Sequence, residues 1–179
     1  MRLEDLVIVL LGESGDEGVR GRTRVQKLMY FLCRRLGIQG RFAPYYYGPY
    51  SEHVARAVDS LVERGLVEVE VKPFPSDGPF EGKLYRYTLT KPGNEMLVEI
   101  KNQQATEHAV RALRKLLQGD PSTRALAVAS KLHVLLPPGG RATVDSLRKK
   151  ARSFGWSIDP PDLKEGADFL ISRDFVKPV

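Results

Sequence analysis

The chain opens with apolar residues at helical spacing. Leu3, Leu6, Val7, Leu10 and Leu11 fall on one side of a helix expected over residues 2–11. The stretch GESGDEGVRG (residues 12–21) is too rich in glycine and acid to continue it and predicts a loop. A second helix is expected from Thr23 to Leu36, with Val25, Leu28, Met29, Leu32 and Leu36 as its apolar stripe. Thr23 suits its N-cap, Gly37 its left-handed end, and Arg34 and Arg35 its negative C-terminus. The aromatic run Phe42 to Tyr47 predicts a short strand. A third helix then opens at Pro49 or Ser51, buries Val54, Val58, Leu61 and Val62, and stops at Gly65.

Beyond Gly65 the period changes from helical to two. Leu66, Val67, Val69 and Val71 alternate with Glu68, Glu70 and Lys72. After the turn-rich KPFPSDGPFEGK, the run LYRYTL (Leu84 to Leu89) alternates again, which predicts a β-hairpin with a long loop. Thr90 can cap the next helix, with Pro92 near its first turn. The helical pattern continues from Asn94 to about Gln118, where Gly119-Asp120-Pro121 breaks it. The last third echoes the first. DSLVERGLV (59–67) matches DFLISRDFV (168–176) at Asp, Leu, Arg and Val, and GRTRVQKL (21–28) matches GRATVDSL (140–147) at Gly, Arg, Val and Leu. Residues 122–179 are read either as a degenerate three-helix repeat of the first unit or as an ordinary helical cap.

Helix, helix, short strand, helix, hairpin, helix is the order of a winged helix-turn-helix. The expected class is α+β and mostly helical: a winged-helix domain over 1–93, a connecting helix over 94–120 and a small basic helical unit over 121–179. SLVERGLVEVE with LYRYTLTKPGNEML resembles PadR- and MarR-type regulators, in which a recognition helix ends in glycine and a wing follows. GRTRVQKLMYFL with YYYGPYS resembles more narrowly the YwgA-like proteins and the Panacea (SocA-like antitoxin) domain. The likeness covers residues 2–100. It departs from a compact helix-turn-helix, whose helices are joined by about three or four residues, because a strand and a longer connection intervene here. The resemblance implies a DNA-binding transcriptional regulator or antitoxin-like repressor. It also implies a homodimer paired through the helix after the wing, by Met96, Leu97, Ile100, Leu113, Leu116 and Leu117; otherwise both apolar turns pack against the chain's own C-terminal helices and the chain is a monomer. The alternative is a winged helix used only for protein contacts.

Charge sharpens the choice. The net charge is +6, and from Glu17 to Glu52 there are seven cations and no acid: Arg20, Arg22, Arg24, Lys27, Arg34, Arg35 and Arg41. A second biased run sets Arg124, Lys131, Arg141, Arg148, Lys149, Lys150 and Arg152 against Asp145 alone. Such asymmetry attracts a polyanion, and duplex DNA is the expected partner. The candidate DNA contacts are Arg20, Arg22, Arg24 and Lys27 around helix 2, with Tyr46, Tyr50 and Ser51 at the opening of helix 3. His53 and Arg56 on helix 3, and Lys83 and Arg86 on the wing, complete the set. Glu52, Asp59 and Glu63 share helix 3, and carboxylates repel phosphates, which favours the protein-contact alternative. Each of Tyr45, Tyr46, Tyr47 and Tyr50 is either a core ring with its hydroxyl at the edge or a ring flanking the basic face.

No catalytic chemistry is legible. His53, His108 and His133 form no ligand-spaced pair, so neither metal nor cofactor is expected. Cys33 lies in the apolar half of helix 2 and reads as a buried thiol. GESGDEG lacks the Gly-Lys-Ser/Thr of a phosphate loop, and no carboxylate pair marks a reaction centre. The expectation is a non-enzyme. A single cysteine, no apolar run of about 18 residues and no signal-peptide pattern predict a cytoplasmic protein without a membrane span.

Overall fold

Leu6 to Leu11 are six consecutive apolar residues. In the computed structural model, which describes residues 1–74, 82–137 and 142–177, all six are buried in α1 (Leu3–Glu13). An amphipathic stripe would need cover on one side only; this helix is covered all round. The helix α2 (Arg22–Leu36) is almost as enclosed, with Val25 through Cys33 buried. It ends at Gly37 in the left-handed conformation (φ 66°), with the Ile38 amide donating to the Cys33 carbonyl at 2.9 Å. Its first turn follows Gly21, so Thr23 lies inside the helix rather than capping it.

A third helix, α3 (Glu52–Glu63), is capped by Ser51, whose hydroxyl accepts from the Val54 amide. It buries Val54, Ala57, Val58 and Leu61. The expected hairpin forms as β2 (Val67–Phe74) and β3 (Gly82–Leu89), antiparallel and in register from Val67↔Leu89 to Phe74↔Gly82. Residues 75–81 of its loop lie outside the described residues. The third strand is not Phe42–Tyr47, as the aromatic run suggests, but β1 (Val19–Arg20), inside the stretch read as loop. It pairs with β3 at Tyr87 and Arg86, giving the sheet order β1-β3-β2. A two-residue strand has too little alternation to announce itself; the open edge of β3 is what orders it.

The expected long helix is two. α4 (Lys91–Lys101), capped by Thr90, and α5 (Gln104–Leu117) are separated by a break at Asn102-Gln103. There the Thr106 hydroxyl donates back to the Ile100 carbonyl at 2.7 Å. Length explains the break. A straight helix from 94 to 118 would run about 37 Å, against about 16 Å for α1. The bend returns both apolar turns to the same core, so that α4 and α5 each pack on α1, and α5 also on α2. Glu13, at the end of α1, fixes the arrangement with Lys101 at 2.6 Å and Arg114 at 2.8 Å. Burial alone would raise its pKa, but the two cations outweigh that and hold it low. Leu97, Ile100, Leu113 and Leu116 of the expected pairing face are therefore covered by the chain's own helices, and Met96 and Leu117 are half-buried.

Three helices complete the chain: α6 (Thr123–Leu135), α7 (Val144–Ser153) and α8 (Pro160–Ser172). α6 packs on α2 and α8, and the apolar cluster runs without interruption from α1 to Phe169 and Leu170. The echo between DSLVERGLV and DFLISRDFV reappears as one helix-end geometry. Leu66 donates to the Leu61 carbonyl and Phe175 to that of Leu170, at 2.9 and 2.8 Å. Gly65 and Asp174, at matching positions, both have positive φ, 66° and 52°. Two copies of one sequence pattern thus end two helices in the same way. Arg141, in the second basic run, lies outside the described residues.

Candidate nucleic-acid interface

The two segments that carried the narrower resemblance meet in space. Gln26 and Lys27 of α2 hold the chain that leads into α3. The Gln26 side chain donates to the Ser51 carbonyl at 3.0 Å and accepts from the Ser51 amide at 2.9 Å. The Lys27 ammonium donates to the Pro49 carbonyl at 2.8 Å. Lys27 is only 2% exposed. Burial, helped by the nearby Lys131 charge, lowers its pKa to about 8. Both it and Ser51 were expected to contact DNA. Instead both are interior, Ser51 as a cap whose hydroxyl also donates to the Gly40 carbonyl.

Most other cations of the expected face are engaged within the fold. Arg24 binds Asp120 at 2.7 Å and donates to the Pro121 carbonyl. Arg20 and Arg86 are direct cross-strand partners, a like-charge pair that requires neutralising. Glu17 pairs with Arg20. Arg86 donates to the Glu17 and Asp16 carbonyls and lies 3.8 Å from Glu70. Arg22 stacks its guanidinium 3.9 Å from the Tyr85 ring centroid. On α3, His53 is exposed and Arg56 is paired with Glu52 at 3.5 Å. Arg56 and Arg64 stand there against Glu52, Asp59 and Glu63, two positive charges against three. Lys83 remains exposed on β3.

The tyrosines form a different structure from the one expected. Ala43 and Tyr50 exchange backbone hydrogen bonds at 2.9 and 2.8 Å, and Tyr45 and Gly48 exchange another pair at 3.2 and 3.0 Å. Residues 43–50 are therefore a miniature hairpin with Tyr46 and Tyr47 at the centre of its turn. Tyr45, Tyr46 and Tyr47 are 54%, 76% and 68% exposed, so none of them is a core ring. Tyr50 is half-buried beside Tyr45, their centroids 5.3 Å apart. Two contacts fix the hairpin to the C-terminal third. The buried Trp156 indole donates to the Tyr45 carbonyl at 2.7 Å, and Gly48 lies against Ser130 and Lys131 of α6. Gly48 has φ 97°, and a Cβ there would approach the Ser130 hydroxyl to 2.9 Å. Gly48→Ala should accordingly cost about 1–3 kcal/mol from the positive φ alone, with the crowding adding to it. Urea unfolding of the variant measures this.

Sequence reasoning noted the second basic run without assigning it a contact. α7 carries Arg148, Lys149, Lys150 and Arg152, with Asp145 in its first turn. Lys150 donates to the Leu135 carbonyl at 3.0 Å, which ties α7 to α6. Arg148, Lys149 and Arg152 form no ion pair among the described residues. Phe154, 39% exposed, follows directly and packs on Trp156 at 5.1 Å. α7 thus leads in sequence to Trp156, the residue that meets the tyrosine hairpin. The signals were in the sequence, as the lone tryptophan and the acid-poor run, but nothing local connects Trp156 to Tyr45 across more than a hundred residues.

Two further titratable side chains, Cys33 and His133, pack within the fold. Burial pushes the Cys33 thiol up to about 11, away from nucleophilic use. His133 is half-buried against Tyr30, whose hydroxyl lies 2.7 Å from its Nδ1, and desolvation with the Arg34 charge lowers its pKa to about 4. Among the described residues no helix is long and apolar enough to cross a membrane. No protein-family model matches the chain, and no match is found among curated proteins.

Proposed function

We propose that the chain is a winged-helix protein that binds duplex DNA without catalysis, as a transcriptional regulator or antitoxin-like repressor, and that its phosphate contacts come chiefly from α7 rather than α2. The sheet order β1-β3-β2, with α1 before β1 and with α2 and α3 between β1 and β2 in sequence, supports the winged-helix reading. The observation that carries the DNA reading is the set Arg148, Lys149 and Arg152, cations without an ion-pair partner among the described residues in a protein of net charge +6. Lys149 and Arg152 are exposed and Arg148 is half-buried, and cations without an ion-pair partner can displace counterions from phosphates. α3 would supply base contacts through His53 and Arg56, and Lys83 a wing contact.

A salt series on a random-sequence duplex tests this. Replacing Arg148, Lys149 and Arg152 together with alanine should flatten the log–log salt slope by roughly two to three units. Arg56→Ala should instead relax preference at one base position, by about 1–3 kcal/mol. An unchanged slope in the folded triple variant would overturn the assignment to α7. The acidic balance of α3 favours a second reading, a winged helix that contacts a protein; it becomes the better one if the wild type does not bind duplex DNA even at low salt.

A further inference from the structure

Aromatic residues at the centre of a tight turn are unusual, because glycine, asparagine, aspartate and serine fill such positions for conformational reasons. Here Tyr46 and Tyr47 occupy them, and the turn is immobilised rather than loose. Its base is closed by the Ala43–Tyr50 bridge and its tip by the Tyr45–Gly48 pair. Trp156 and α6 anchor the tip from outside, and Lys27 and Gln26 anchor the strand that leaves it. The rings themselves are packed on little but one another, Tyr45 edge-on to Tyr46 at 4.8 Å. A fold that clamps a backbone so thoroughly, yet leaves its aromatic side chains in water, presents those rings to a flat partner at low entropic cost.

The charges nearby indicate what that partner is. Lys131, alongside Gly48, has its ammonium 5.8 Å from the Trp156 ring centroid. Lys27 is a buried ammonium whose partner is the Pro49 carbonyl, with no carboxylate paired to it among the described residues. Arg152 and Lys149 lie exposed on α7, just before Phe154 and Trp156. Glu52, at the start of α3, is the acid that adjoins the hairpin in sequence, and it is paired with Arg56. Protein surfaces also dock on tyrosines, but a face with this sign of charge and exposed rings matches a polyanion with flat faces. Base pairs in a duplex stack on one another and offer no faces, whereas unpaired bases do.

We propose that the hairpin 43–50 is a stacking platform for unpaired bases of single-stranded nucleic acid, with Tyr46 and Tyr47 as the stacking rings and Lys131, Lys149 and Arg152 as the phosphate contacts. This rests on the nucleic-acid reading above and adds to it a preference for an opened strand over an intact duplex. Tyrosine hydroxyls are not required; the ring faces are.

Fluorescence anisotropy with a labelled mixed-sequence 20-nucleotide single strand, and with the same strand in duplex form, tests the proposal on the full chain. Tyr46→Ala with Tyr47→Ala should weaken single-strand binding about ten-fold or more, change duplex binding less than about two-fold, and leave the salt slope for the single strand unchanged, since no charge is removed. Tyr46→Phe with Tyr47→Phe should restore single-strand affinity. Both positions are exposed, so the variants should melt like the wild type. Single-strand affinity within about two-fold of wild type in the alanine variant overturns the platform while leaving duplex binding, and the functional reading, intact. Failure of the phenylalanine variant to restore binding overturns stacking in favour of hydroxyl contacts. Absence of binding to either probe at about 50 mM salt overturns both readings together.

Discussion

Leu113→Ala should lower the stability of the whole chain by about 2–5 kcal/mol, and Leu113→Lys should leave it unfolded. A helix that pairs with a second copy would give another result, a soluble monomer with its N-terminal half intact. Leu113 is fully buried, on a helix packed against both α1 and α2, the two most enclosed helices of the core. Truncation there opens a cavity that the surrounding leucines cannot close, and a lysine would carry an unpaired charge into it. Folded domains are stable by only about 5–15 kcal/mol, so the lysine variant exceeds what the fold can absorb. Leu117, half-buried one turn on, should tolerate lysine with a smaller loss. Urea melts followed by circular dichroism separate the cases. A Leu113→Lys protein that keeps native helicity would contradict the packing of α5 described above.

Lys27→Met should make the protein more stable at pH 7 and less stable near pH 10.5. The native pKa of about 8 lies below the ordinary lysine value of 10.5. The charged form is therefore disfavoured in the fold, by about 3 kcal/mol. Below pH 8 the lysine is charged in both native and unfolded chains, so this cost is fully present. Between pH 8 and 10.5 the unfolded chain still binds a proton that the native chain has released. Wild-type stability accordingly rises with pH across that window, and the cost is gone above it. Methionine fills similar volume without the charge, but leaves the Pro49 carbonyl without its donor, a loss of about 1–2 kcal/mol. The variant should gain about 1–2 kcal/mol at pH 7, and the order should reverse as the pH approaches 10.5, where the unfolded chain also releases the proton. Taking the difference between the two proteins at each pH cancels the titration of other groups. A difference independent of pH would mean that Lys27 keeps its ordinary pKa, and hence that water reaches it. A large loss at pH 7 would mean that the Pro49 contact outweighs the buried charge.

Several features were settled by residues acting over one or two turns. Gly37 ends α2 because only a residue tolerant of positive φ continues the chain there. Ser51 and Thr90 cap α3 and α4 through hydroxyls within reach of free amides. Period-two alternation from Leu66 set the β2–β3 hairpin, since a slip of one residue would turn Val67, Val69 and Tyr87 outward. The cluster of tyrosines and the acid-poor stretch Arg148 to Arg152 were visible as composition before any geometry.

Only the tertiary structure decided which polar groups meet water and which elements meet each other. Lys27 reads as a surface cation at helical spacing, but the 43–50 hairpin and α6 cover its side of α2, and burial is a property of what packs on top. Ser51 was placed at the DNA surface on the same local evidence and is interior for the same reason. Residues 94–118 carry a continuous helical pattern, yet break, because both apolar turns find their cover on the short helix α1. β1 exists because β3 offers an unpaired edge. The tyrosine hairpin is anchored by Trp156, a residue more than a hundred positions away, and no periodicity encodes that meeting. Local sequence fixes period, caps and breaks through hydrogen bonds a few residues long; the choice of site depends on long-range packing, which is a sum over the whole chain.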